Sequence, residues 1–335
     1  MKTLTMREST DDLESIPAAP GGDWRRRSLL GRISRTHPMF WLFAGIAIFF
    51  ILIAIIGPFI APHNPTDFHW EQGNLHPIWV PQNQYTGSDV YLLGTDTNGR
   101  DNFSRLIYGT RTTLLLAFIS VPLAALLGIT VGIVSGYFGG RTDSLLMHFT
   151  DIFSAFPAIL FSILIMLIFR HRPFGGWLNG FGVLVLAFFL VGWVSLARLV
   201  RGAVLSIKQE LYVEAARATG LKEKRILFRY ILPNIIGLVI IWSIAAIPRV
   251  IILEALLGYI GIGITPDIEE AHFVVTSWGG LLSEGRLAIH ANPVRLIAPA
   301  VCVILAALSF TFIGDELRDS LDPRSNRSRK VSLIS

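Results

Sequence analysis

The chain has 335 residues, of which 52% are hydrophobic and only 16% charged, and its mean hydropathy is +0.55. A soluble chain of this length would carry roughly a quarter charged residues to solvate its surface, so a water-soluble globular protein is excluded and a lipid-solvated one expected. The net charge of +5 comes mostly from arginines beside apolar runs, as membrane topology requires, so no nucleic acid is expected as partner; lone Cys302 leaves no disulfide framework or Cys-based metal site.

Residues 1–38 are polar, mixed in charge and broken by Ala18-Ala19-Pro20-Gly21-Gly22, which predicts a cytoplasmic tail. The next apolar run predicts a first transmembrane anchor over 39–61. At about 20 residues it is too long, and begins too late, for a secretory signal peptide. Arg25, Arg26, Arg27, Arg32 and Arg35 stand before it and keep the N-terminus inside. Residues 62–111, rich in Pro, Asn, Trp and His, are predicted outside. A second span covers about 113–134, where Ala124, Gly128, Gly132 and Gly136 form a narrow face for close helix approach. A third covers 152–169, with Pro157 as a kink or start, and a fourth 181–199. The fifth and sixth cover 235–257 and 296–313, before a charged cytoplasmic tail over 317–335. This order puts the basic stretch from Arg198 to Arg229 inside and the acidic loop of Asp267, Glu269, Glu270 and Glu284 outside. Arg170 and Arg172 run against that rule.

The stretch 203–233 carries the most specific pattern. Ser206 can cap a helix start, Leu211, Ala215 and Ala218 share a face, and Gly220 suits a left-handed helix end. A second short helix is expected to run until Pro233 stops it. Such a pair suits docking into another protein's groove, and an interfacial helix on lipid fits the same residues. Upstream, Leu93-Gly94-Thr95-Asp96-Thr97-Asn98-Gly99-Arg100-Asp101 reads as a glycine-rich turn with a cap at Asp101 and a short helix closed by Gly109. A calcium loop fails there, because Arg100 sits where a ligand belongs and no glutamate closes it.

Glu214-Ala215-Ala216, with Gly220 four positions on and Leu232-Pro233 at the end, closely resembles the coupling-loop motif of permease subunits in bacterial binding-protein-dependent ABC importers. Tyr230 replaces that motif's isoleucine. The segment from Leu93 to Arg111, Ser277-Trp278-Gly279 with Leu281 and Leu282, and the ending Gly314 to Arg324 resemble the dipeptide, oligopeptide and nickel permeases, and among them the second, C-type, subunit. The resemblance implies an all-α membrane protein with six transmembrane helices and the type I ABC importer permease fold, its permease domain over 112–316. It also implies that the loop inserts into an ATPase cleft, with Glu214 in polar contact, Gly220 permitting the turn, and Ala215, Ala216, Leu232 and Pro233 completing the surface. The implied partners are two ATP-binding subunits, a homologous second permease subunit and an extracytoplasmic solute-binding protein. The implied location is the bacterial inner membrane, with both termini cytoplasmic. Segment 266–276 is longer and more acidic than is usual in that group.

No Gly-x-x-x-x-Gly-Lys-Ser/Thr string occurs to cradle ATP phosphates, and no catalytic, cofactor or metal motif is present, so transport without enzymatic activity is expected. His63, His69 and His76 read as surface residues of the external loop, or as a transient metal or solute contact. Arg249 lies near the middle of the fifth span, where an arginine costs about 2.5–3.5 kcal/mol on insertion scales. Glu254, five residues on, points elsewhere around the helix. Three readings of Arg249 stand: a fixed carboxylate on a neighbouring helix or subunit, a peptide's terminal carboxylate passing through the pathway, or snorkelling. The expected function is a translocation pathway for peptides or related small solutes, coupled to a separate ATPase, with a nickel-chelate or other small-solute permease as the alternative. An ion-coupled secondary transporter would leave the Glu214 loop unexplained, and a membrane-embedded enzyme has no paired catalytic residues.

Overall fold

A computed structural model describes residues 38–80, 91–169, 180–264 and 276–321. The arginines between 25 and 35, Arg170 and Arg172, all of segment 266–276 but Thr276, and the tail beyond 321 lie outside the described residues. In chain order the helices are α1 (Pro38–Ile60), α2 (Asn102–Phe138), α3 (Gly140–Ser154), α4 (Ala158–Phe169), α5 (Phe181–Ile207), α6 (Leu211–Ala218), α7 (Glu223–Ile226), α8 (Leu232–Tyr259), α9 (Trp278–Leu287) and α10 (Val294–Leu321). Helices α1, α2, α5, α8 (as one run with α7) and α10 are long and apolar enough to cross a membrane; α3 and α4 supply a sixth crossing if they act together.

That sixth crossing breaks where Pro157 was expected to kink or start the span over 152–169. Helices α3 and α4 meet at 81° across Ala155, Phe156 and Pro157. Proline removes a backbone donor and drives the residue before it out of helical geometry, so the ladder breaks there. The 12 residues of α4 rise only about 18 Å, against a hydrocarbon core of about 30 Å. Helix α3 is then tied to the end of α5 by charge. Arg201 donates from Nε and Nη2 to the two Asp143 oxygens at 2.6 Å each, and Arg198 Nη2 donates to Asp151 at 2.8 Å and to Ser154 at 2.7 Å.

Close packing of α2 on α5 organises the bundle. A side chain at Gly128 would meet Leu196 and the Trp193 carbonyl at 2.9 Å, one at Gly132 the Ala197 carbonyl at 2.6 Å, and one at Gly136 the Arg201 carbonyl at 2.9 Å. The glycine stripe therefore brings two backbones together, so that dispersion replaces the hydrophobic drive that lipid does not provide. Helix α1 lies at the edge, burying only Ala47, Phe50 and Gly57. Phe43 stacks on Phe312 at 4.2 Å and Phe50 meets Trp278 edge-on at 5.4 Å.

Helix α2 begins eleven residues before the predicted span, at Asn102, with Asp101 capping the backbone N–H groups of Phe103 and Ser104. Gly109 does not close a helix; it lies inside α2, where a side chain would come within 3.1 Å of the Trp278 ring. The turn before it is organised by Asp96. One oxygen accepts from the backbone of Asn98 and Arg100, the other from Arg100 Nε at 2.6 Å and Arg105 Nη1 at 2.8 Å. Arg105 also grips Glu284 of α9 with both terminal nitrogens, at 2.6 and 2.7 Å. His63, half-buried, sits 3.3 Å from Asp101, and His69 lies exposed on the same loop.

Candidate coupling loop and membrane cavity

At the end of the bundle opposite the Asp96 turn, α6 and α7 form the arms of a compact loop. Ser206 caps nothing: α5 continues through it to Ile207, and Glu210 occupies the position before α6 without a side-chain bond. Val213 and Ala216 face inward and are buried, as is Ile226 on α7. Leu211, Tyr212, Glu214, Ala215 and Ala218 face outward; Leu211 is 82% exposed, and Phe228 nearby is 70% exposed. The Glu214 carboxylate has no partner among the described residues.

Gly220 closes α6 at φ +78°, with its N–H donating to Arg217 O at 3.0 Å and the Leu221 N–H to Ala216 O at 3.3 Å. These two bonds are the Schellman pattern, which needs a left-handed residue at this position. No other atom would crowd a side chain there, so the glycine is required by backbone angle alone. Arg217 lies over the Tyr137 ring at 5.9 Å and Lys208 donates to the Gly136 carbonyl at 3.0 Å, which seats the loop on the end of α2.

Pro233 does not stop the second arm. From Leu227 to Ile231 the chain winds as a π-turn and passes into α8, with Pro233 in its first turn. The Leu232 N–H reaches back five residues to Leu227. A proline ring clashes with the carbonyl four residues earlier, and a one-residue slip in the ladder relieves that clash. Tyr230 stands 6.2 Å from Tyr212 ring to ring, and Asn234 joins them by donating to the Tyr212 hydroxyl at 3.3 Å and the Tyr230 carbonyl at 2.6 Å. The aromatic therefore pins the two arms to α8.

The second candidate region lies within the bundle. A cavity with about 680 Å³ of empty space, counting its open mouth, is bounded by α2, α4, α5 and α8. Arg249 lines it and is exposed, with no ion-pair partner among the described residues. Glu254 is fully buried and turned away, accepting from Thr113 Oγ1 and the Gly279 backbone at 3.2 Å each. Ser120, Ser195 and Trp242 also border the cavity, and no sequence argument pointed to them. The available signal was a serine near the middle of each of two otherwise apolar spans, too common a feature to single out.

Residues 128–327 match the family described as the inner membrane component of binding-protein-dependent transport systems. The chain belongs to that family. Residues 32–77 also match the N-terminal transmembrane domain of oligopeptide transport permease C. The oligopeptide transport system permease protein OppC of Haemophilus influenzae is 34% identical over 83% of this chain and 82% of its own. The dipeptide transport system permease protein DppC of Bacillus subtilis is 34% identical over 84% and 81% respectively. An inward-facing form of the MetNI methionine ABC transporter superposes with a TM-score of 0.50 at 18% identity, over 65% of this chain and 97% of that one, a likeness of fold. The protein is thus an all-α ABC importer permease of type I fold, a transport component rather than an enzyme. Membership implies an ATPase, a solute-binding protein and a second permease as partners.

Proposed function

We propose that this permease is the C-type subunit of a peptide importer, working with one homologous permease and two ATP-binding subunits. Both termini would lie in the cytoplasm, and 112–316 would form the translocation unit behind the anchor formed by α1. Relatives named for oligopeptides and dipeptides support the substrate class. The observation that carries the mechanism is the loop of α6 and α7. It presents Leu211, Ala215 and Phe228 around the uncompensated Glu214, on a base stiffened by Gly220 and Tyr230.

In this reading the exposed face seats in a cleft of the ATPase and Glu214 contacts a polar group there. Buried Ala216 sets the depth of the arm, while Leu232 and Pro233 join the π-turn to α8. Closure of the ATP-binding pair then moves the loop as one body, and α8 carries that motion to Arg249 in the pathway. Gly220→Val, in the assembled complex, should lose most ATP-driven uptake while the complex still forms, because a β-branched residue resists the left-handed turn by about 1–2 kcal/mol. Gly220→Asn, which tolerates that conformation, should retain much of the uptake. Uptake by Gly220→Val equal to the unaltered complex would remove the coupling assignment.

A further inference from the structure

Ser120 is an anomaly among the hydroxyls of the bundle. Thr110, Thr112, Thr130, Ser162, Ser309 and Thr311 each donate to the carbonyl four residues back on their own helix. That is the usual way a helical hydroxyl satisfies itself in an apolar setting. Ser120 makes no such bond; it is 1% exposed, its oxygen has no partner, and it borders the cavity. It is also the central residue of α2.

Three further observations describe what the cavity would accept. Arg249 is its one charged lining residue, so nothing in the wall compensates the guanidinium. Trp242 Nε1 donates to Ser195 Oγ at 3.2 Å, which leaves that exposed hydroxyl a second polar point on the wall. Phe188, Val191, Val250 and Leu253 make much of the remainder apolar.

We propose that this cavity is a subsite for the C-terminal residue of a transported peptide. Arg249 takes the terminal carboxylate, Phe188, Val191, Val250 and Leu253 receive the side chain, and the Ser120 hydroxyl bonds the last peptide group. The proposal rests on the reading of the protein as a peptide importer and adds a place where the membrane domain itself inspects the solute. A planar guanidinium matches a carboxylate in two parallel bonds. The N-terminal ammonium would be repelled by Arg249 and would find no acid in the wall. Binding at such a site must be weak enough for release, and a single carboxylate contact with a hydroxyl and a shallow apolar wall meets that condition.

The test uses the complete complex with its binding protein in sealed vesicles, and a tripeptide ending in phenylalanine offered as the free acid or as the C-terminal amide. The binding protein contributes the same factor to every variant, so the acid-to-amide uptake ratio isolates the membrane domain. Arg249→Met should lower uptake of the acid about tenfold or more, the worth of a charge-assisted hydrogen bond, and leave the amide nearly unchanged. Arg249→Lys should fall between. Ser120→Ala should lower both forms severalfold without altering the ratio. Ala158→Trp, at an exposed position of the lining, should penalise a peptide ending in phenylalanine more than one ending in glycine.

An unchanged ratio in Arg249→Met, or equal penalties in Ala158→Trp, would overturn the subsite while the unaltered complex still imports peptide. Failure of Arg249→Met to assemble would also overturn it, since the anion facing Arg249 would then belong to the second permease. Absence of ATP-driven peptide uptake in the unaltered complex would instead defeat the importer reading itself.

Discussion

Arg105 shows what a single buried guanidinium does when both of its terminal nitrogens are directed at carboxylates. It is 1% exposed and holds Asp96 on its own chain segment and Glu284 of α9, 179 residues away. Burial by itself would raise the Glu284 carboxyl, but the Arg105 guanidinium, which also hydrogen-bonds it, and the charges of Arg100 and Arg295 hold it below its ordinary value of 4.5. A carboxyl depressed in the folded state contributes stability above its unfolded value and loses it as pH falls through the folded one. Glu284→Gln should therefore destabilise the detergent-solubilised complex by about 1.5–3 kcal/mol at pH 7, the usual worth of hydrogen bonds to a charged group. The gap from the unaltered protein should stay constant down to about pH 5 and then narrow progressively as pH falls from the ordinary carboxylate value towards the lowered folded one. Thermal unfolding across that range measures it, and a gap that widened towards acid would refute the assignment. Such a pair is illegible in sequence, because nothing local to Arg105 points to an acid so far along the chain.

Among the elements, α2 and α5 decide how close the other helices can come. The stripe of Gly128, Gly132 and Gly136 was legible because a spacing of four on an apolar helix has one structural use, and the backbones of α5 occupy that space. Gly132→Leu should prevent normal assembly, while Gly132→Ala should cost about 1–3 kcal/mol by overpacking against Ala197 and Val200. Gly202→Ala, on α5 where nothing lies within 4 Å, should be neutral or stabilise by up to about 1 kcal/mol, since alanine is the better helix former. The yield of folded complex after detergent extraction separates the two. Other elements read less well. Hydropathy located the third crossing and Pro157 marked its break, but the 81° angle was not legible, since composition carries no direction. The Asp101 cap of α2 was legible, but the short helix expected to close at Gly109 runs on into the span, because the partners that satisfy Arg105 and Thr110 inside one long helix do not show in the sequence.

For the whole molecule, the two ends of the bundle are built on different electrostatic plans. The Asp96 end compensates its charges internally, Asp96 and Glu284 against Arg100 and Arg105. The loop closed by Gly220 carries Arg217, Lys222, Lys224, Arg225 and Arg229 exposed, against Glu210, Glu214 and Glu223 within the loop itself. Short basic loops are retained in the cytoplasm, so the Gly220 end should be the inner one. An ATPase seat requires the same side, because ATP is cytoplasmic. With Cys302→Ser as a cysteine-free background, a cysteine placed at exposed Ala215 and another at Thr66, on the turn after α1, allow a direct test. An impermeant maleimide added to intact cells should label Thr66→Cys and spare Ala215→Cys until the membrane is opened. In the assembled complex Ala215→Cys should stay protected even then, since the ATPase covers it. The reverse labelling would invert the protein in the membrane, and the coupling loop would then have no ATPase to meet.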